Sequence, residues 1–257
     1  MLLNYTDKGN GIPIVLLHGM ASSKRYWDSY LDDLSKKNRV IAVDLLGFGH
    51  SPKPRNAYTL EDHTLALKET LSSIGVLSPI KLVGHSMGAR VALSYANKYP
   101  NEVNKLSLIS MPLYHSSNEA RSSITKQKLK FRLAYYGPTS FLLCTLWCKL
   151  LRPLSSRMAH IYLPRFPKIV AEESVLHTWH SFSCTLHNVI ENNDGINELH
   201  QLSQPTQIIY GDNDDKTVIQ NVKALTALPK NVLLTILPGT HNLPLENQAL
   251  LISLISE

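Results

Sequence analysis

The chain has 257 residues and a formal net charge of +6, long enough to bury one sizeable core without disulfide or metal staples. Its three cysteines, Cys144, Cys148 and Cys184, cannot all pair and show no metal-type clustering, which excludes a disulfide scaffold and points to a reducing compartment, the cytoplasm. No apolar run approaches the roughly 20 residues of a bilayer span, and the opening Met1-Leu2-Leu3-Asn4-Tyr5-Thr6-Asp7-Lys8 lacks an export signal's basic start and apolar stretch, so neither secretion nor membrane crossing is expected.

In chain order, the first strand signal is the apolar run Ile12 to Leu17, which ends in His18-Gly19-Met20. A second, Arg39 to Val43, leads into Asp44-Leu45-Leu46-Gly47-Phe48-Gly49-His50-Ser51. A Gly-x-Gly behind a strand can open a dinucleotide site, but no third glycine follows and Pro52 and Pro54 stand where a helix would begin. The loop is therefore expected to be structural. Thr59-Leu60-Glu61-Asp62 predicts a capped helix start leading to Leu65, Leu67 and Leu71.

Ile80 to Val83 predicts a third strand, and directly behind it stands Gly84-His85-Ser86-Met87-Gly88. Glycines two places either side of a serine permit a sharp strand-to-helix turn. The serine hydroxyl then projects above the sheet while the following helix, Met87 to Tyr99, aims its N-terminus at the same point. Val103 to Ser110 is the next strand. Thr206 to Tyr210 precedes Gly211-Asp212-Asn213-Asp214-Asp215, Val232 to Leu237 precedes Pro238-Gly239-Thr240-His241-Asn242, and a helix over Leu243 to Ile255 closes the chain. Val, Ile and Leu fill these runs without polar alternation, as a parallel sheet covered on both faces requires. The expected fold class is α/β, with a mostly parallel central sheet flanked by helices.

Three ordered motifs, His18-Gly19-Met20, the Asp44 to Ser51 loop and Gly84 to Gly88, make the chain resemble the α/β-hydrolase superfamily from about Ile12 to Leu254. The strand rhythm breaks over residues 111–204, where relatives in this superfamily carry a helical cap. The resemblance thus implies a core of residues 1–110 and 205–257 with an inserted lid. It also implies the order serine, acid, histidine, with Ser86 as nucleophile, His241 as base and the acid three residues after Gly211. That choice selects Asp214, with Asp212 and Asp215 as alternatives. Backbone amides of Met20 and Met87 would form an oxyanion hole, and His18, Gly19, His85 and Trp147 are expected around the substrate. His85 is too close to Ser86 on a tight turn to act as its base. His177, His180 and His187 lack matched carboxylate or cysteine ligands, so no metal and no cofactor is expected.

The charge is uneven: residues 111–170 hold ten Lys and Arg against Glu119 alone, while the remainder has sixteen basic and nineteen acidic residues. The basic segment also contains the largely apolar Phe141 to Leu151. The favoured function is hydrolysis of an ester with a hydrophobic acyl chain. The alternatives are acyl substrates borne by an acidic carrier protein or an anionic membrane surface, cleavage of a carbon–carbon bond by the same triad, and a ligand-sensing receptor of the same fold. No nucleic-acid motif accompanies the basic segment, so nucleic-acid binding is not expected.

Overall fold

The computed structural model describes residues 1–76, 79–126, 138–149, 151–191, 194–223, 225 and 228–256. Seven strands form one sheet: β1 (Tyr5–Lys8), β2 (Ile12–Leu17), β3 (Asn38–Val43), β4 (Ile80–His85), β5 (Val103–Ile109), β6 (Thr206–Gly211) and β7 (Val232–Leu237). Their spatial order is β1-β3-β2-β4-β5-β6-β7. Only β1 runs antiparallel, pairing with β3, and every other ladder is parallel.

The uninterrupted apolar runs have a direct cause. Along β2, Val15 and Leu17 join one buried cluster while Ile14 and Leu16 join another, and β3 divides Ile41 and Val43 from Val40 and Ala42 in the same way. Each cluster is roofed by helices. The first packs under α2 (Leu60–Ser73) and α3 (Met87–Lys98), and the second includes Tyr30 and Leu34 of α1 (Asp28–Leu34) and Leu251 and Ile255 near the C-terminus. Two apolar faces per strand remove any polar alternation. Helix α2 starts where its sequence indicates: Thr59 Oγ1 accepts from the Asp62 amide while the Asp62 carboxylate accepts from the Thr59 amide.

Between β5 and β6 the regular elements among the described residues are all helical, with no strand: α4 (Ser117–Lys126), α5 (Pro138–Lys149), α6 (Arg152–Tyr162), α7 (Lys168–Glu173), α8 (Trp179–Thr185), a π-helical turn (Leu186–Glu191) and α9 (Gly195–His200). Helix α9 is tied to α3 by the fully buried Arg90, whose guanidinium donates to both carboxylate oxygens of Glu198 at 3.0 and 3.1 Å. The expected continuous C-terminal helix is interrupted. A short α10 (Ile219–Lys223) precedes β7, and α11 (Leu243–Glu246) is separated from α12 (Gln248–Ser256) at Asn247. Asn247 leaves helical geometry at ψ 45° and its side-chain amide donates to Pro238 O, so the chain is turned there by a tie to the β7 exit loop. Among the described residues no helix is long and apolar enough to cross a membrane.

Candidate active site

The register brings three strand ends to one edge. Gly84 lies beside Leu17, His85 beside Ile109, and Gly211 beside Leu237. Ser86, Asp214 and His241, which follow β4, β6 and β7, therefore emerge together at the carboxyl ends of parallel strands, where open α/β sheets form their crevices.

Ser86 sits at φ +53°, a left-handed conformation that costs a non-glycine residue about 1–3 kcal/mol. The surrounding contacts enforce it. The Ser86 amide donates to Ile109 O at 2.8 Å, and α3 begins at Met87. A β-carbon on Gly84 would lie 2.3 Å from Gly88 O, and one on Gly88 would lie 2.5 Å from His18 O. Both positions must be glycine because backbone passes where a side chain would begin.

Ser86 Oγ is 3.0 Å from His241 Nε2, and His241 Nδ1 is 3.0 Å from each oxygen of Asp214. Asp214 Oδ1 also accepts the amides of Lys216 and Thr217 at 2.8 and 3.0 Å. Burial pushes the Asp214 carboxyl upward, but the imidazole N–H and these two amides outweigh it and hold the pKa below the ordinary value. The neighbouring aspartates are placed differently: Asp212 Oδ1 accepts the Gly239 amide at 3.0 Å, and Asp215 lies on the surface near Lys216. The loop carrying His241 is fastened by Glu246, which accepts the Thr240 amide at 2.7 Å and its hydroxyl at 2.5 Å.

His85 contributes a tie that local sequence does not announce. Its Nε2–H donates to the carbonyl oxygen of His241 at 2.8 Å, across 156 positions of chain, and its ring stacks on Tyr26 at 4.8 Å. Burial drives its pKa down to about 3, so the ring is neutral near neutral pH and is committed to this bond. His18 corrects the sequence expectation of a substrate contact. It is fully buried, Nε2 accepts the Leu45 amide at 2.9 Å and Nδ1–H donates to Gly19 O at 2.7 Å, so both ring nitrogens are consumed in shaping the loop.

A cavity of about 500 Å³ opens over Ser86. Gly19, Met20, His85 and His241 stand on its floor, and Ile124, Leu163, Phe166, Val170, Phe182 and Leu186, all from the segment between β5 and β6, supply apolar walls. A β-carbon on Gly19 would lie 3.2 Å from that of Ser86, which shows how closely this loop approaches the turn. The Met87 amide belongs to the first turn of α3, where backbone donors have no intrahelical acceptor. The Trp147 side chain lies outside the described residues. The wall residues were not singled out by the sequence, because apolar side chains at helical spacing look the same in a core and in a cavity.

Among the described residues no three His, Cys, Asp or Glu side chains gather as a metal-ligand set. His177 Nδ1–H donates to Ser174 O, His180 Nε2–H to Asn56 O, and His187 Nδ1 meets Glu191 at 2.9 Å.

The comparisons with known proteins agree with this layout. The chain is 30% identical over 189 residues to the probable lysophospholipase BODYGUARD 4 of Arabidopsis thaliana, covering 69% of this chain and 45% of that protein. It is 31% identical over 116 residues to the cis-3-alkyl-4-alkyloxetan-2-one decarboxylase of Shewanella oneidensis, covering 44% of this chain and 36% of that protein. The chain thus spans less than half the length of these curated relatives. Among solved structures it superposes on the Exiguobacterium antarcticum esterase EaEST with a TM-score of 0.76 at 19% identity, covering 99% of this chain and 96% of that one. A thermophilic esterase from Thermogutta terrifontis gives a TM-score of 0.74 at 23% identity, over 98% and 91% of the two chains. The model of the alpha/beta hydrolase fold family matches residues 12–248, and the chain belongs to that family.

Proposed function

We propose that this protein is a serine hydrolase that cleaves carboxylic esters of hydrophobic acyl groups through an acyl-enzyme, with residues 111–204 acting as a cap over the acyl site. The observation that carries this reading is the continuous hydrogen-bonded chain Asp214–His241–Ser86 at the floor of an apolar-walled cavity. A serine hydroxyl is too weak an acid to attack an ester unaided. His241 Nε2 takes its proton during attack, and Asp214, bonded at Nδ1, holds the productive tautomer and stabilises the imidazolium. The amides of Met20 and Met87 receive the tetrahedral oxyanion, each such donor contributing about 2.7–4 kcal/mol. His241 then protonates the leaving alcohol, and a water activated by the same ring releases the acid and restores Ser86.

Ester cleavage is preferred to carbon–carbon cleavage because the similarity to a probable lysophospholipase extends over 69% of the chain, against 44% for the decarboxylase. A p-nitrophenyl ester series of increasing acyl length is the direct test. Turnover that rises toward medium chains and vanishes in Ser86→Ala is expected. Turnover unchanged by Ser86→Ala would reject the nucleophile, and binding of such esters without any turnover would favour a ligand-sensing receptor.

A further inference from the structure

Helix α6 is turned the opposite way from an ordinary surface helix. In α6 the buried positions are the small Ser155 and Ala159, while Leu154, Ile161 and Tyr162 are 56%, 60% and 64% exposed. In α5, Ser140 is buried while Phe141 and Leu142 are 58% and 67% exposed. An amphipathic helix normally puts its large apolar residues inward. Here α6 presents them outward, and α5, which packs on it, adds the exposed Phe141 and Leu142.

The outward stripe of α6 also carries charge. Leu154, Arg157 and Ile161 fall at spacings of three and four, hence on one face, and the exposed Arg165 follows three residues beyond the helix end. Arg157 and Arg165 have no carboxylate partner among the described residues. Residues 111–170 as a whole carry ten Lys and Arg against one Glu.

We infer that this face of α5 and α6 docks on an anionic lipid surface. Aliphatic tips flanked by arginines fit a membrane interface, which takes apolar side chains about 5–10 Å deep and meets cations at the level of its phosphates. A second copy fits less well, since a two-fold contact sets the arginines of one protomer against those of the other. A soluble acidic protein answers the arginines but not Leu142, Leu154 and Ile161. The docking face runs into the cavity wall, because Leu163, which directly follows Tyr162, and Phe166, which follows Arg165, line the space above Ser86. Docking would therefore open the acyl site toward lipid, and only this last consequence rests on the hydrolase reading.

The test is flotation of the Ser86→Ala protein, which leaves lipid intact, with phosphatidylcholine vesicles containing phosphatidylglycerol and with pure phosphatidylcholine vesicles. Binding to the mixed vesicles and weak binding to the neutral ones is expected. Arg157→Glu with Arg165→Glu should weaken partitioning at least about thirtyfold from the two lost cations alone, and Leu154→Ser with Ile161→Ser by at least about tenfold. Both pairs should leave thermal melting and turnover of p-nitrophenyl acetate unchanged when introduced beside an intact Ser86. No flotation with anionic vesicles, equal flotation of the variants, or a dimer that the Leu154 and Ile161 substitutions abolish would overturn the inference. Vesicle binding by a protein that hydrolyses no ester would leave docking standing and remove the hydrolase reading instead.

Discussion

Replacing Asp214 by Asn tests the site with a single atom. Asp214 Oδ1 is occupied by two backbone donors, Lys216 N–H at 2.8 Å and Thr217 N–H at 3.0 Å. An asparagine keeps both bonds only by placing its carbonyl oxygen there, which puts its NH2 at the other position, where Oδ2 stands 3.0 Å from His241 Nδ1. The asparagine oxygen also stands 3.0 Å from Nδ1 but already accepts two amides; the NH2 donates, so Nδ1 accepts from it, and the ring proton moves to Nε2, which faces Ser86 Oγ at 3.0 Å. The imidazole then offers the serine a proton where it should receive one. In a Ser-His-Asp site the loss is about 10⁴ in kcat, or about 5.4 kcal/mol of transition-state stabilisation. Because the two backbone bonds survive, the fold should melt within a few degrees of the native protein. The assay is kcat on p-nitrophenyl butyrate, with circular dichroism melting as the control. Retention of more than about a tenth of native kcat would refute the tautomer argument. So would equal losses in Asp212→Asn or Asp215→Asn, whose carboxylates do not reach His241.

Acid should destabilise the protein through buried imidazoles. His63 and His85 are buried neutral, with pKa values driven by burial to about 4 and about 3, whereas in the unfolded chain both titrate near about 6.5. Below that value the unfolded chain takes protons that the folded one refuses, so stability falls with pH by about 1.4 kcal/mol per unit for each histidine, down to its folded pKa. His63→Phe should remove one histidine's share of the slope in urea titrations between about pH 6.5 and 4.5, and an unchanged slope would contradict it. Gly88→Ala should cost more than about 4 kcal/mol or abolish soluble expression, because its β-carbon meets His18 O at 2.5 Å and Leu17 O at 2.6 Å; a native melting temperature would refute the close approach. Glu198→Ala leaves the fully buried Arg90 unpaired and should cost about 3 kcal/mol in chemical denaturation, whereas a loss below about 0.5 kcal/mol would show the pair to be idle.

What the sequence made legible are features that a short stretch of backbone decides for itself. The ends of β2 and β7 were readable because both faces of those strands are apolar and the chain turns sharply after each. Strand β1 was not, since Tyr5–Lys8 is a four-residue edge strand with three exposed positions and almost no apolar signal. The serine turn was readable from its glycines, which are demanded by atoms within the turn and the adjacent strand end. The acid remained one of three aspartates until β6 and β7 were paired, because Gly211 against Leu237 and the Gly239 amide on Asp212 decide which carboxylate faces His241. Long-range ties were invisible for a different reason. The bond from His85 to His241 O and the stacking of His85 on Tyr26 join residues separated by 156 and about 60 positions, and neither leaves a local pattern. The same reasoning separates the two uses of apolar residues between β5 and β6. Helical period alone does not distinguish Val170, which walls the cavity, from Ile161, which faces solvent. Only the position of the small residues Ser155 and Ala159 against the protein shows that α6 turns its large side chains outward.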